Sequence, residues 1–94
     1  MDETRIGRII FRAWRRGFRE ADLILGPFAE THVRSMDEAQ LSAFEALLGQ
    51  EDQDLYAWIT GAVEAPAAFE GPMLSKLIEF GRSLPVARGD LSGS

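Results

Sequence analysis

The densest group of ionisable side chains in this 94-residue chain lies in residues 15–20, which read Arg-Arg-Gly-Phe-Arg-Glu. Three guanidinium groups and a carboxylate surround Gly17 there, and Asp22 follows two residues later. Guanidinium groups keep their charge at any working pH and bind carboxylates through two parallel hydrogen bonds. A joint between two helices requires a glycine but does not require this much charge. We therefore expect the segment to bind a partner, with its guanidinium groups facing solvent.

The residue types that perform catalysis are mostly missing. The chain has no cysteine, which excludes a disulfide framework, thiol chemistry and a cysteine zinc site. His32 is the single histidine, so a histidine-rich metal site cannot form, and its place at a predicted helix end favours a surface or capping role. There is no glycine-rich phosphate loop, and no serine has an adjacent base. We predict that the protein is not an enzyme.

The net charge of −5 is distributed unevenly along the chain. Residues 1–19 hold six arginines and two acidic residues, whereas residues 20–94 hold four basic and thirteen acidic residues. A mainly acidic body repels a phosphate backbone, so nucleic acid is not the expected partner. A local positive face suits one defined acidic protein surface instead. No apolar run approaches the ~18 residues that a membrane span needs, so no membrane partner is expected either.

Apolar residues recur at helical spacing in five segments, and no segment alternates as a strand does. The predicted fold class is all-α, a compact five-helix bundle forming a single domain. A helical domain is expected over residues 1–83, and a flexible C-terminal tail over residues 84–94. The five helices are predicted over residues 3–15, 17–33, 35–48, 51–60 and 72–82, with glycines ending the third and fourth.

Several local features of these helices are also predicted. Ser35 and Glu38 have the spacing of a capping box that starts the third helix. An aspartate within residues 51–54 can cap the fourth helix. Residues 26–27, Gly-Pro, predict a kink or short break inside the second helix. The large aromatic residues expected in the core are Trp14, Phe28, Phe44 and Trp58.

Two stretches of the sequence resemble the SdhE-type flavinators, the succinate dehydrogenase assembly factors of bacteria and mitochondria. The first is Arg15-Arg16-Gly17-x-x-Glu20-x-Asp22-x-x-Leu25-x-x-Phe28. The second, about thirty residues later, is Asp52-x-Asp54-Leu55-x-x-Trp58-Ile59, similar to that family's D-x-D-L-x-x-W-[LI] stretch. The resemblance covers roughly residues 5–80. The alanine-rich linker at 62–71, with the proline that follows it, departs from the family pattern at the entry of the fifth helix.

The resemblance implies a non-enzymatic assembly factor that binds the flavoprotein subunit of succinate dehydrogenase, or that of the related fumarate reductase. Such factors promote covalent attachment of FAD to a histidine of that subunit. By the match to the RGxxE motif, Arg16, Gly17 and Glu20 would be functional, with Arg15 and Asp22 in support. The FAD belongs to the partner, so no stably bound cofactor is expected. The factor is expected to be a monomer, cytoplasmic in a bacterium or in the mitochondrial matrix of a eukaryote.

The residues alone leave other interpretations open. Glu20 has the spacing to pair with Arg16 within one helix, which would make the motif structural. A small helical adaptor, or a DNA-binding regulator that uses the N-terminal arginine face, is compatible with five short helices. The arginine-rich start also has some features of a mitochondrial presequence, but it runs directly into the motif, so we interpret it as part of the mature fold.

Overall fold

The computed structural model describes residues 3–84. Over that range the chain forms five α-helices and no strand, which confirms the all-α prediction. The helices are α1 Glu3–Trp14, α2 Arg19–His32, α3 Glu38–Leu48, α4 Asp52–Thr60 and α5 Pro72–Ser83. None of these helices is long and apolar enough to cross a membrane. Most of the predicted C-terminal tail, residues 85–94, lies outside the described residues.

Each helix is short enough to be marginal in isolation, so packing of its apolar face must hold it in place. Phe28 of α2 and Phe44 of α3 are fully buried, and their ring centroids lie 5.4 Å apart. Trp58 is also buried, but Trp14 is only half-buried at the edge of the core. The core draws on all five helices, with Ile6, Ile9, Ile24, Leu25, Leu55 and Leu77 among its fully buried members.

The start of α3 differs from the predicted one. Ser35 lies in a short 3-10 turn, where its hydroxyl donates to the carbonyl of His32. The N-cap is Asp37, whose carboxylate accepts from the backbone N–H of Gln40 at 2.8 Å, while the Gln40 side chain accepts from the Asp37 N–H at 2.9 Å. The predicted box of Ser35 and Glu38 is therefore wrong by two residues. Aspartate and glutamine form the same reciprocal cap, and the local sequence offered both options.

Of the kink or short break predicted at Gly26-Pro27, the short break is wrong, because α2 continues through Pro27. The adjacent Gly26 is buried, and the indole ring of Trp14 from α1 lies directly against it. The indole N–H of Trp14 donates to Glu30, one turn further along α2, at 2.8 Å. Gly26 therefore permits the close approach of α1 and α2, which make more extensive contacts than any other pair of helices within residues 3–84.

An ion-pair cluster fastens α1 to α3. Arg5 Nη1 lies 2.7 Å from Glu38 Oε1, and Arg5 Nη2 lies 2.8 Å from Glu45 Oε1. The hydrogen bond from Arg5 lowers the pKa of the Glu45 carboxyl below its ordinary value, with a smaller lowering from the positive charges of Arg12 and Arg8. Hydrogen bonds to the same two carboxylates raise the pKa of Arg5.

The contact at Gly26 predicts opposite effects for two glycine substitutions. Gly26→Ala should destabilise the fold by about 1–3 kcal/mol, because the new methyl group would overlap with the Trp14 ring. Gly7→Ala is the matched control within α1, since Gly7 is exposed and has nothing within 4 Å of an added Cβ. It should stabilise by ~0.5–1 kcal/mol. Urea unfolding followed by circular dichroism measures both, and equal effects would contradict the packing described here.

The Arg5 cluster predicts a pH-dependent contribution to stability. Since the folded pKa of Glu45 is depressed, the ion pair stabilises the fold above the unfolded carboxyl pKa of ~4.3 and is lost as pH falls through the folded value. Arg5→Gln should therefore lower the free energy of unfolding near neutral pH. The difference from the unsubstituted protein should shrink as pH falls below about 4. A difference that stays constant across this pH series would show that Glu45 is not coupled to Arg5.

Candidate partner-binding site

The predicted site lies at the corner between α1 and α2. Gly17 occupies this corner with φ of +86°, a left-handed conformation that side chains rarely adopt. Its backbone is exposed, and nothing lies within 4 Å of a Cβ built there. Phe18 then starts α2 from an extended conformation, with its ring 5.1 Å from that of Tyr56 in α4. The backbone therefore turns sharply at Gly17 and leaves open space on the outer side of this turn.

Arg16 points into the protein, contrary to the prediction that it faces solvent. Only 8% of its side chain is exposed, and its guanidinium donates hydrogen bonds to the carbonyl oxygens of Leu48 and Gln50. Its Nε lies 2.7 Å from Asp52 Oδ1, an ion pair in which the N–H is not aimed along a hydrogen bond. The carbonyls at a helix C-terminus lack intrahelical partners and carry partial negative charge, so the end of α3 attracts a buried cation.

Asp22 also has a local structural contact. Its carboxylate, in the first turn of α2, accepts a hydrogen bond of 3.1 Å from the backbone N–H of Arg16. An acidic residue in that position also complements the positive end of the helix dipole. Arg16 and Asp22 therefore hold the shape of the corner. The pairing of Glu20 with Arg16 that the sequence allowed is not formed, because Asp52 takes that place.

The other residues of the predicted site are exposed. Arg15, Gly17 and Glu20 lie on the outer surface of the corner, beside Arg19, an exposed residue that was not part of the predicted site. The Arg15 guanidinium carbon lies 4.4 Å from the centre of the Phe11 ring, at a cation–π distance. Within residues 3–84, Arg15, Arg19 and Glu20 form no ion pair. The site thus has a buried half that fixes its shape and an exposed half whose charges are available to another molecule.

The second sequence motif lies against the first one in the fold, because its Asp52 contacts Arg16 of the first motif. Sequence reasoning assigned the acidic residues at 51–54 to capping, but the N-cap residue Glu51 makes no side-chain capping bond. Asp52 instead pairs with Arg16, while Leu55 is buried in the core. Sequence reasoning therefore missed Asp52 as a member of the site. The sequence signal that could have indicated the contact between Arg16 and Asp52 was the occurrence of both motifs in one family pattern. Neither motif alone indicates that contact.

The described residues show no cluster of metal-ligating side chains. Residues 3–84 contain no group of three or more histidine, cysteine or acidic side chains that could hold one. An open groove of about 660 Å³ lies between α4 and α5, at the opposite end of α4 from Asp52. Its apolar lining includes Trp58, Leu74 and Ile78.

Residues 7–81 match the protein family described as flavinator of succinate dehydrogenase. The chain belongs to this family. The flavinator match covers all five helices except the first turn of α1 and the last turn of α5, and it confirms the resemblance inferred from the two motifs.

Individual flavinator relatives agree with the family match. A succinate dehydrogenase assembly factor 2, mitochondrial, from Arabidopsis thaliana is 39% identical over 75 residues, which are 79% of this chain and 40% of that protein. The protein of the same name from Dictyostelium discoideum is 36% identical over 72 residues, which are 77% of this chain and 50% of that protein. The chain thus spans half or less of the length of these relatives.

The buried half of the site predicts a stability coupling between Arg16 and Asp52. Arg16→Met should destabilise the protein by about 2–4 kcal/mol, because it leaves Asp52 and two helix-end carbonyls without their donor. Asp52→Asn should cost about 1–2 kcal/mol, since this carboxylate is partly exposed. The double variant should cost less than the sum of the two single variants.

Urea unfolding of the four proteins in this cycle measures the coupling. Arg19→Met is the control, because Arg19 is exposed, forms no ion pair within residues 3–84 and should change stability by less than ~0.5 kcal/mol. Strictly additive costs for Arg16 and Asp52 would contradict the buried ion pair.

Proposed function

We propose that this chain is a non-enzymatic assembly factor that binds the flavoprotein subunit of succinate dehydrogenase and promotes covalent attachment of FAD to it. The observation that carries the proposal is the family match over residues 7–81. The exposed half of the α1–α2 corner supports it, because the family motif lies where another protein can reach it. The flavoprotein subunit of fumarate reductase is proposed as a second client.

Covalent flavin attachment requires the flavin and a partner histidine to be held in reactive geometry. The partner supplies both groups in this proposal, so the chain needs no stably bound cofactor of its own. Its contribution is to bind one arrangement of the partner more tightly than the others and so to raise the population of that arrangement. A monomer suffices for this role, which would take place in the bacterial cytoplasm or the mitochondrial matrix.

The exposed residues of the corner have the chemistry for such binding. The open space at Gly17 lets a partner backbone approach closely. Arg15 and Arg19 can each bind a partner carboxylate through two hydrogen bonds, and Glu20 can accept from a partner donor. Arg16 and Asp22 act indirectly, because they hold Gly17 and its neighbours in this conformation. The proposed roles therefore differ within one motif.

Co-expression with the succinate dehydrogenase flavoprotein subunit tests the proposal. The subunit is denatured, separated on a gel and examined for flavin fluorescence, which reports covalent attachment. Gly17→Arg should reduce binding by at least about thirtyfold and the fluorescence with it, because its bulk fills the open contact surface. Glu20→Gln, at an exposed position, should reduce fluorescence without changing stability.

Gly61→Arg is a matched control for Gly17→Arg. Gly61 ends α4 with φ of +83°, is exposed and also has nothing within 4 Å of an added Cβ. The two substitutions therefore impose the same kind of backbone strain, about 1–2 kcal/mol. Only Gly17→Arg should abolish attachment. Equal losses from both would make the motif structural, and a chain that never raises the fluorescence above the level without it would refute the proposed function.

A further inference from the structure

The outward side of α1 carries an unusual combination of side chains. Arg8, Phe11 and Arg12 fall within an arc of about 100° of the helix, away from the buried positions. Together with Arg15, the exposed residue directly after the helix, they are here called the α1 outer face. Phe11 is 57% exposed, and the only comparable large apolar side chain within residues 3–84 is Val63 at 55%. Aromatic residues and arginines are the types enriched at protein interfaces, and the core does not require this exposed ring.

The arginines of this face form no close ion pair within the described fold. Arg5 and Arg16 make the internal contacts of the N-terminal region, to α3 and to the start of α4. Arg8, Arg12 and Arg15 are exposed and form no ion pair with any residue from 3 to 84. Arg8 and Arg12 act on the Glu45 carboxyl only as secondary charges beside Arg5, so another molecule can supply the three cations with close counter-charges.

Phe11 and Arg15 form a ready-made anchor on this face. The guanidinium carbon of Arg15 lies 4.4 Å from the ring centre of Phe11, which holds both side chains beside the corner. Aromatic residues and arginines supply most of the binding energy at protein interfaces, where they insert into pockets that exclude water. Arg15 also belongs to the exposed half of the corner, so the two surfaces are continuous.

We propose that the α1 outer face extends the docking surface of the corner, and that its occupant is an acidic surface of the flavoprotein subunit with an apolar recess for the Phe11 ring. This inference rests on the proposed function. Charge complementarity supports it, because residues 20–94 carry thirteen acidic and four basic residues and would repel such a surface. The partner would therefore be steered onto α1, with Phe11 at the centre of the contact.

Binding of the full chain to the isolated flavoprotein subunit tests the role of the ring. Phe11→Ala should raise the dissociation constant about tenfold, whereas Phe11→Tyr, which keeps the ring, should stay within about twofold. Alanine is favourable at an exposed helix position, so Phe11→Ala should remain folded. Val63→Ala is the matched control, since it removes an equally exposed apolar side chain far along the sequence and should leave the dissociation constant unchanged.

The charges are tested by the same measurement at low and high salt. Arg12→Gln should slow association several-fold at low salt, and the difference should vanish at high salt, where surface charges are screened. Arg82→Gln is the control, because Arg82 is an exposed, unpaired cation in the last turn of α5, within the described residues. It should bind at the unsubstituted rate.

Failure of this inference is distinguishable from failure of the proposed function. If Gly17→Arg abolishes binding while Phe11→Ala and Arg12→Gln bind normally, the surface ends at the corner and the inference is wrong, although the function stands. If the unsubstituted chain neither binds the flavoprotein subunit nor promotes flavin attachment, both are wrong. Tight, salt-sensitive binding of duplex DNA that is lost in Arg12→Gln would assign the face to nucleic acid and overturn the inference.

Discussion

The guanidinium group of Arg16 connects the α1–α2 corner to the α3–α4 connection, and the geometry of the candidate site depends on that contact. On one side lies the turn between α1 and α2, and on the other lie the end of α3 and the start of α4. A buried guanidinium is stable only when its donors and its charge are matched. The carbonyls that end α3 equally require donors. One side chain meets both requirements, so the position of the Gly17 turn is fixed relative to the core.

This contact divides a short motif into two kinds of residue. Arg16 and Asp22 are used within the protein, whereas Gly17 and Glu20 are exposed at its surface. A motif can therefore be needed for binding without every member touching the partner. A substitution at Arg16 changes the shape of the surface, and one at Glu20 changes its chemistry. In the proposed role, a loss of binding would therefore have a different physical cause at each position, and stability measurements separate the two causes.

The sequence predicted the elements well and their long-range contacts poorly. Five helices follow from apolar spacing, and Gly61 and Pro72 bound two of them because these residues act through their own backbone geometry. The start of α3 was misplaced because neighbouring residues offered two equivalent caps. The direction of the Arg16 side chain was not predictable, since its two hydrogen-bond acceptors lie 32 and 34 residues away in sequence and both are backbone carbonyls.

The arginines of the N-terminal region show how structural and functional charge can be separated once the fold is known. Arg5 forms ion pairs between α1 and α3, and Arg16 forms one with Asp52 at the start of α4. Two of the six arginines therefore have a structural role within the fold. Arg12 lies in the last turn of α1, where a cation gains ~0.3–1 kcal/mol from the helix dipole. That effect does not extend to Arg8 in the middle of the helix. The described fold gives Arg8 no ion-pair partner, and it shares a face with an exposed phenylalanine. Composition does not distinguish the six arginines, whereas their contacts separate Arg5 and Arg16, which form ion pairs within the fold, from Arg8, Arg12, Arg15 and Arg19, which form none within residues 3–84.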